Sequence, residues 1–237
     1  MIALLAGLLL GASQGPLPDG TRIHEDRACY TITLNRGGVE TPMGVTWQTI
    51  ERATVEGRAV LRVVVHQRVA GGPFDMRDTF LMDAATLRPI RLENDRKGER
   101  HVTLDYADGR VTGSRTEADG AHAVDAALPG PVWEGNLFGV TFAALPLAAG
   151  ATFEVPFYQY DKGLGAFSVR VTGEETVTTP EGPVDAWVLD VSTGGEGPPL
   201  TYLIGKADGR ELGYRSARGG QSLGGDCSAL MTASNGG

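Results

Sequence analysis

Residues 100–116 read Arg-His-Val-Thr-Leu-Asp-Tyr-Ala-Asp-Gly-Arg-Val-Thr-Gly-Ser-Arg-Thr, and this stretch decides the fold class. Val102, Leu104 and Tyr106 share one face of an extended run, Asp108-Gly109 follows, and Val111 to Thr116 returns. Alternation with period two buries one face of a strand. Asp-Gly between two such runs supplies the positive φ that a primed hairpin turn needs at both central residues. The same punctuation recurs at Asp208-Gly209, between Thr201 to Ile204 and Glu211 to Arg215, and turns around Gly57 and Gly182 join further β-branched runs. From Ala59 to Val69, Leu61, Val63, Val65 and Val69 fall on one face and Arg62, His66 and Arg68 on the other. Strands so closely spaced imply an all-β antiparallel meander, built as a curved sheet of half-barrel or sandwich form.

One segment departs from the β pattern. Asn136 to Ala149 places Leu137, Val140, Ala144 and Leu147 at helical spacing with Asn136 as a candidate cap, which predicts one short central helix ended by Pro146. It would join two similar halves, 30–128 and 150–216. Thr79 to Arg91 can be laid over Thr201 to Arg215, and Ala59 to Val69 over Val184 to Ser192, so a weak duplication would produce one continuous sheet of two units. The competing reading is the ordinary resemblance of any two hairpins.

The ends carry an address. Met1 to Leu10 is uncharged and apolar and runs into Gly11-Ala12-Ser13, which fits the core and cleavage site of a secretory signal over 1–14 and is too short to span a bilayer. Residues 15–28 then read as a linker, 29–216 as a single β domain and 217–237 as a Gly/Ser-rich tail. The expected location is periplasmic or extracellular. The two cysteines, Cys29 and Cys227, favour one disulfide in an exported chain over two free thiols.

Composition excludes several classes. With 41% hydrophobic and 21% charged residues over 237 positions, the chain is neither a coiled coil nor a protein of several membrane spans. A net charge of −8 argues against nucleic acid, which requires a basic stripe. Glycine 34 and proline 13 are high enough to mark a turn-rich chain, yet below the level of disorder.

Asp83-Ala-Ala-Thr-Leu-Arg-Pro-Ile90, the central helix, Thr179-Pro-Glu-Gly-Pro-Val-Asp-Ala-Trp187 and the Thr201-Tyr-Leu-Ile204 hairpin resemble a bacterial family of exported β proteins known as a domain of unknown function. The resemblance covers roughly residues 30–216. It implies a curved antiparallel sheet around a short helix, reminiscent of periplasmic lipoprotein carriers, and brings no catalytic residues with it. The chain departs from the family at Gly205-Lys206, where a longer polar strand end is usual.

Catalytic chemistry has little support. Gly220-Gln-Ser-Leu-Gly224 matches a nucleophile-elbow pattern around Ser222, but no buried strand precedes it, no helix follows it and no histidine lies beyond it. The four histidines lack metal-site spacing, and His66 and His101 fall on polar strand faces, where solvation is the ordinary outcome. Asp75, Asp78 and Asp83 are too loosely spaced for a calcium loop and read as solvated turn carboxylates. Neither a cofactor nor a metal is expected. Trp133, Leu137, Phe138, Phe153 and Phe157 are the candidate ligand-binding residues, since a sheet curved around the helix would turn them into an apolar interior. Core packing is the competing reading. Two functional classes follow: a non-enzymatic carrier of an apolar envelope ligand such as a lipid, and an envelope-assembly interaction module with no small-molecule ligand. A hydrolase acting through Ser222 is a distant third.

Overall fold

The computed structural model describes residues 17–194 and 199–231. The signal segment read at 1–14 lies outside the described residues. After a single 3-10 turn at Gly20–Arg22, eight strands follow without interruption: β1 (Asp26–Arg36), β2 (Val39–Val55), β3 (Arg58–Val69), β4 (Asp75–Asp83), β5 (Pro89–Arg96), β6 (Glu99–Ala107), β7 (Arg110–Glu117) and β8 (Gly120–Ala127). A connector then holds the two-residue β9 (Trp133–Glu134) and the helical turn α1 (Gly139–Ala143). Six more strands complete the sheet: β10 (Thr152–Gln159), β11 (Gly163–Thr179), β12 (Gly182–Ser192), β13 (Leu200–Gly205), β14 (Glu211–Ser216) and β15 (Gly219–Leu223). The short helix α2 (Ser228–Met231) ends the described chain.

All fifteen strands form one open sheet in the order β8-β7-β6-β5-β4-β3-β2-β1-β15-β14-β13-β12-β11-β10-β9. Every pairing is antiparallel except β9 with β10. The chain therefore starts at the centre, meanders outward to the β8 edge, crosses the sheet through the connector and meanders back until β15 meets β1. The segments laid over one another in the sequence fall on β3-β4-β5 of one wing and β12-β13-β14 of the other.

Registers fix which side chains share a face. Ile50, Val63, Phe80, Leu92 and Leu104 align across β2 to β6, and Phe153, Val169, Val191 and Leu200 align across β10 to β13, all on the inner face. Both sets join one core with Val140 and Phe142 of α1. The connector is thus the filling between two wings that curl toward each other. Phe142 packs edge-on against Phe167 at 5.3 Å and Tyr202 at 5.0 Å, so aromatic contacts fix α1 to the wing that carries β11 and β13.

Several details differ from the sequence expectation. The helix is confined to Gly139–Ala143, and Phe138, with no side-chain cap bond, takes the position expected of Asn136. Asn136 is instead held by Glu134, and a segment packed on both sides needs no longer helix to bury its apolar residues. Asp208-Gly209 lies in a five-residue loop, where Asp208 Oδ1 accepts from the Arg210 amide and the Gly209 amide donates to the Gly205 carbonyl. The stretch read as a tail supplies β15, the strand that joins the wings. Gly219 and Gly220 serve this close approach: a Cβ would lie 2.1 Å from the Thr33 carbonyl oxygen and 2.3 Å from that of Tyr214. The outer face is also covered at its centre, where Trp47, Cys227 and Leu230 form a second small core beneath α2. Cys29 and Cys227 are joined in a disulfide.

Candidate functional site

The five candidate residues converge on the connector. Trp133, Leu137, Phe153 and Phe157 are buried at 1–4% exposure, and Phe138 is half-buried. Phe157 lies 4.3 Å from Phe167 between ring centroids, and Phe138 lies 5.5 Å from Phe167. Packing is close around Phe157. A Cβ at Gly135 would stand 2.8 Å from the Phe157 ring, and one at Gly165 would stand 2.5 Å from it. The Trp133 indole N–H donates to the Thr86 carbonyl at 3.1 Å, which pins β9 to the β4–β5 turn of the opposite wing.

A buried polar seam runs beside this apolar filling. Glu134 is fully buried; its Oε2 accepts from the Tyr106 hydroxyl at 2.7 Å and its Oε1 from the backbone and side-chain nitrogens of Asn136 at 3.1 and 3.0 Å. Gln159 donates to Asn136 Oδ1 at 3.0 Å. On the facing wing, the Asn94 amide donates to Asp78 at 2.6 Å with both side chains buried. Arg96 and Arg115 reach Tyr160 through its hydroxyl and its carbonyl, at 3.2 and 3.0 Å. Side-chain hydrogen bonds therefore tie β5–β7 to β9–β10, although the strand ladder never closes into a barrel.

Burial dominates the electrostatics of this seam. Loss of water pushes the Glu134 carboxyl up to about 7, with the Asp78 charge adding to the rise against the donors Tyr106 and Asn136. Asp78 is raised to about 6, again by burial, against its bonds to Asn94 and the charge of Arg96. A third buried acid, Glu211, is pushed to about 7 by burial, opposed by Gln48. It lines a 190 Å³ cleft at the end of α1 with Ile23, Ile50, Val140 and Ala143. Its carboxyl occupies the space where a side chain at residue 139 would begin, so any larger residue there would displace Glu211.

Asp78 is not the solvated carboxylate expected from the sequence, because it alternates with Phe80 and Met82 on the inner face. Asp75 accepts from His66 and Arg68, and Asp83 caps its own turn through Thr86 and pairs with Arg58. His66 is also buried, at 6% exposure, since α2 covers that part of the outer face. Ser222 lies within β15, opposite Thr31 and Gly213, so no strand-turn-helix elbow forms around it. Among the described residues no group of three or more His, Cys, Asp or Glu side chains could hold a metal ion.

This arrangement defines an open, predominantly antiparallel β protein with a disulfide between its first and last strand regions. A family model described as a protein of unknown function, DUF3108, matches residues 29–217, and the chain belongs to that family. Comparison with curated proteins and with solved structures found no match.

Proposed function

We propose that this chain is an exported, non-enzymatic interaction module of the cell envelope, which binds an extended segment of a partner protein along its free sheet edge. The observation that carries this reading is the connector, whose packed aromatic residues occupy the space an apolar cargo would need. The β8 edge provides the means. Its eight residues, Gly-Ala-His-Ala-Val-Asp-Ala-Ala, contain no proline or lysine and are mostly exposed, and one side of the strand has no neighbour in the sheet. An unpaired edge of this length is a template for strand addition, in which backbone bonds supply affinity. The opposite edge consists of the two-residue β9 and the part of β10 that it leaves uncovered, which is interrupted by Pro156. Export is supported by the disulfide, which persists in oxidising compartments. No described helix is long and apolar enough to cross a membrane.

Native mass spectrometry of protein purified from the periplasm, with an organic extract of the denatured sample, tests the reading. The expected mass is that of the bare chain, two hydrogens light for the disulfide. A stoichiometric lipid adduct lost on unfolding would overturn it in favour of a carrier. Cross-linking in the periplasm should capture a partner with wild type and lose it with Ala121→Pro or Ala123→Pro. Thermal melts of the variants separate a blocked edge from a misfolded sheet. Equal capture by folded variants would exclude β8 as the docking strand.

A further inference from the structure

The outer face of β1 to β4 carries a feature unrelated to the interior. A cleft of 350 Å³ is lined by Arg27, Arg62 and Arg77, by one carboxylate, Glu51, and by Trp47, Thr49, Val64 and Met231. Strand registers place these side chains in adjacent cross-strand rows: Trp47 is opposite His66, His66 opposite Arg77, and Arg27 opposite Thr49, which faces Val64. Three guanidinium groups thus surround one depression on a chain whose net charge is −8.

Among the described residues, two of these three charges have no carboxylate partner. Arg27 pairs with Glu51 at 3.2 Å. Arg62 and Arg77 form no ion pair among the described residues. The acidic groups of the same face are committed elsewhere: Asp75 to His66 and Arg68 at 2.7 and 2.8 Å, Glu93 to Arg91 and Arg100 at 2.9 and 2.8 Å, and Asp95, cross-strand to Arg77, to Arg100 at 2.7 Å. Arg77 Nε and His66 Nδ1 are buried without any hydrogen-bond partner. Among the described residues, Arg77 Nε is thus an unpartnered buried donor on a side chain that lines this cleft, and a second unpartnered atom belongs to His66, its cross-strand neighbour. A buried, unsatisfied donor on a charged group is costly, and such groups ordinarily have a ligand, ion or water to meet.

We propose that this cleft binds a phosphate-class oxyanion, held by the guanidinium groups of Arg77 and Arg62. Planar guanidinium forks match the oxygen geometry of phosphate, and two or more converging on one site favour an anion with several oxygens. The volume leaves room for an organic body beyond the anion, against Val64 and Met231. The proposal is independent of the β8 edge, which lies at the far end of the wing. Two sources carry this chemistry, a soluble phosphate compound and the headgroup of an anionic phospholipid.

Isothermal titration of the full protein with inorganic phosphate, in a chloride background of constant ionic strength, is the direct test. Saturable binding is expected, weakened about tenfold to a hundredfold in Arg62→Gln/Arg77→Gln. Arg77→Lys, which keeps the charge but loses the fork, should weaken it less. Thermal melts in chloride alone establish that the variants fold. Co-sedimentation with phosphatidylglycerol vesicles, compared with phosphatidylcholine vesicles, separates the sources: arginine-dependent pelleting identifies a headgroup, and phosphate binding without pelleting identifies a soluble ligand. Heat indistinguishable from a chloride titration, or phosphate binding unchanged in the folded double variant, overturns the proposal.

Discussion

Replacing both members of the disulfide, Cys29→Ala with Cys227→Ala, is expected to lower the free energy of unfolding by about 5 kcal/mol. The bridge closes a sequence separation of 198 residues, almost the whole described chain. In the chain-entropy model, the unfolded state loses freedom with the logarithm of loop length, which yields about 5 kcal/mol for a loop of this size. That is a large share of the roughly 5–15 kcal/mol that holds a typical domain. A local contribution acts in the same direction. The bridge fixes α2 against the outer face, where Leu230 and Cys227 cover Trp47, and the Gly224 amide donates to the Cys29 carbonyl. Urea unfolding of wild type, the double variant and reduced wild type checks this. A loss below about 1 kcal/mol would mean that the sheet alone brings the ends together. Hydrogen exchange should show the loss first in β15 and α2.

The wings were legible from local chemistry, whereas the parts that join them were not. Asp108 and Gly109 adopt positive φ of 49° and 70°, as the sequence predicts for a primed turn, because two residues suffice to specify that geometry. Alternation similarly located the inner faces of β3 and β6. By contrast, Gly219-Gly-Gln-Ser-Leu223 has little strand propensity of its own. It becomes the joining strand because β1 and β14 approach closely enough to admit only glycine at two of its positions, a tertiary demand that local propensity does not report. The disulfide was legible, since an even pair of cysteines in a chain read as exported favours a bridge over free thiols.

The polar seam was missed for a related reason. A carboxylate in a sequence reads as surface unless its partners are known, and the partners of Glu134 and Asp78 come from distant strands. A signal was nonetheless present. Asp78 sits in phase with Phe80 and Met82, and Glu134 follows directly on Val132-Trp133 within an otherwise apolar connector. A charged residue in phase with a buried face is either a register error or a buried acid. Of the candidate residues, Trp133, Leu137, Phe153 and Phe157 are buried in one core, as their apolar character predicts.

Stability should fall as pH rises from about 5 to 8, the reverse of a protein held by exposed carboxylate pairs. Glu134 and Glu211 titrate at about 7 in the fold against 4.5, and Asp78 at about 6 against 3.8, each because burial penalises its charge. The folded state therefore keeps protons that the unfolded chain releases above about pH 4. Stability from these groups is fully present below their unfolded pKa and is lost as pH climbs through the folded values. At about 1.4 kcal/mol per pH unit, the interval between 4.5 and about 7 is worth about 3 kcal/mol each for Glu134 and Glu211. Opposing groups set the acid limit. Asp83 is held at about 2 by its bonds to Thr86 and Arg58, despite partial burial, and Asp75 and Glu93 are also lowered. Their contribution is present above about pH 4 and disappears on further acidification, so maximum stability is expected near about pH 5. Glu134→Gln/Glu211→Gln preserves shape while removing both charges. At position 134 the new side-chain carbonyl can still accept from Asn136, and the new amide can donate to the Tyr106 hydroxyl. The double variant should match wild type within about 1 kcal/mol at pH 5 and exceed it by about 3–6 kcal/mol at pH 8, where wild type must ionise both groups in place. Chemical denaturation at about pH 5, 6.5 and 8 resolves the difference. A wild-type curve that is flat over this range would mean that the seam opens to water when its acids ionise, so that burial no longer penalises their charge.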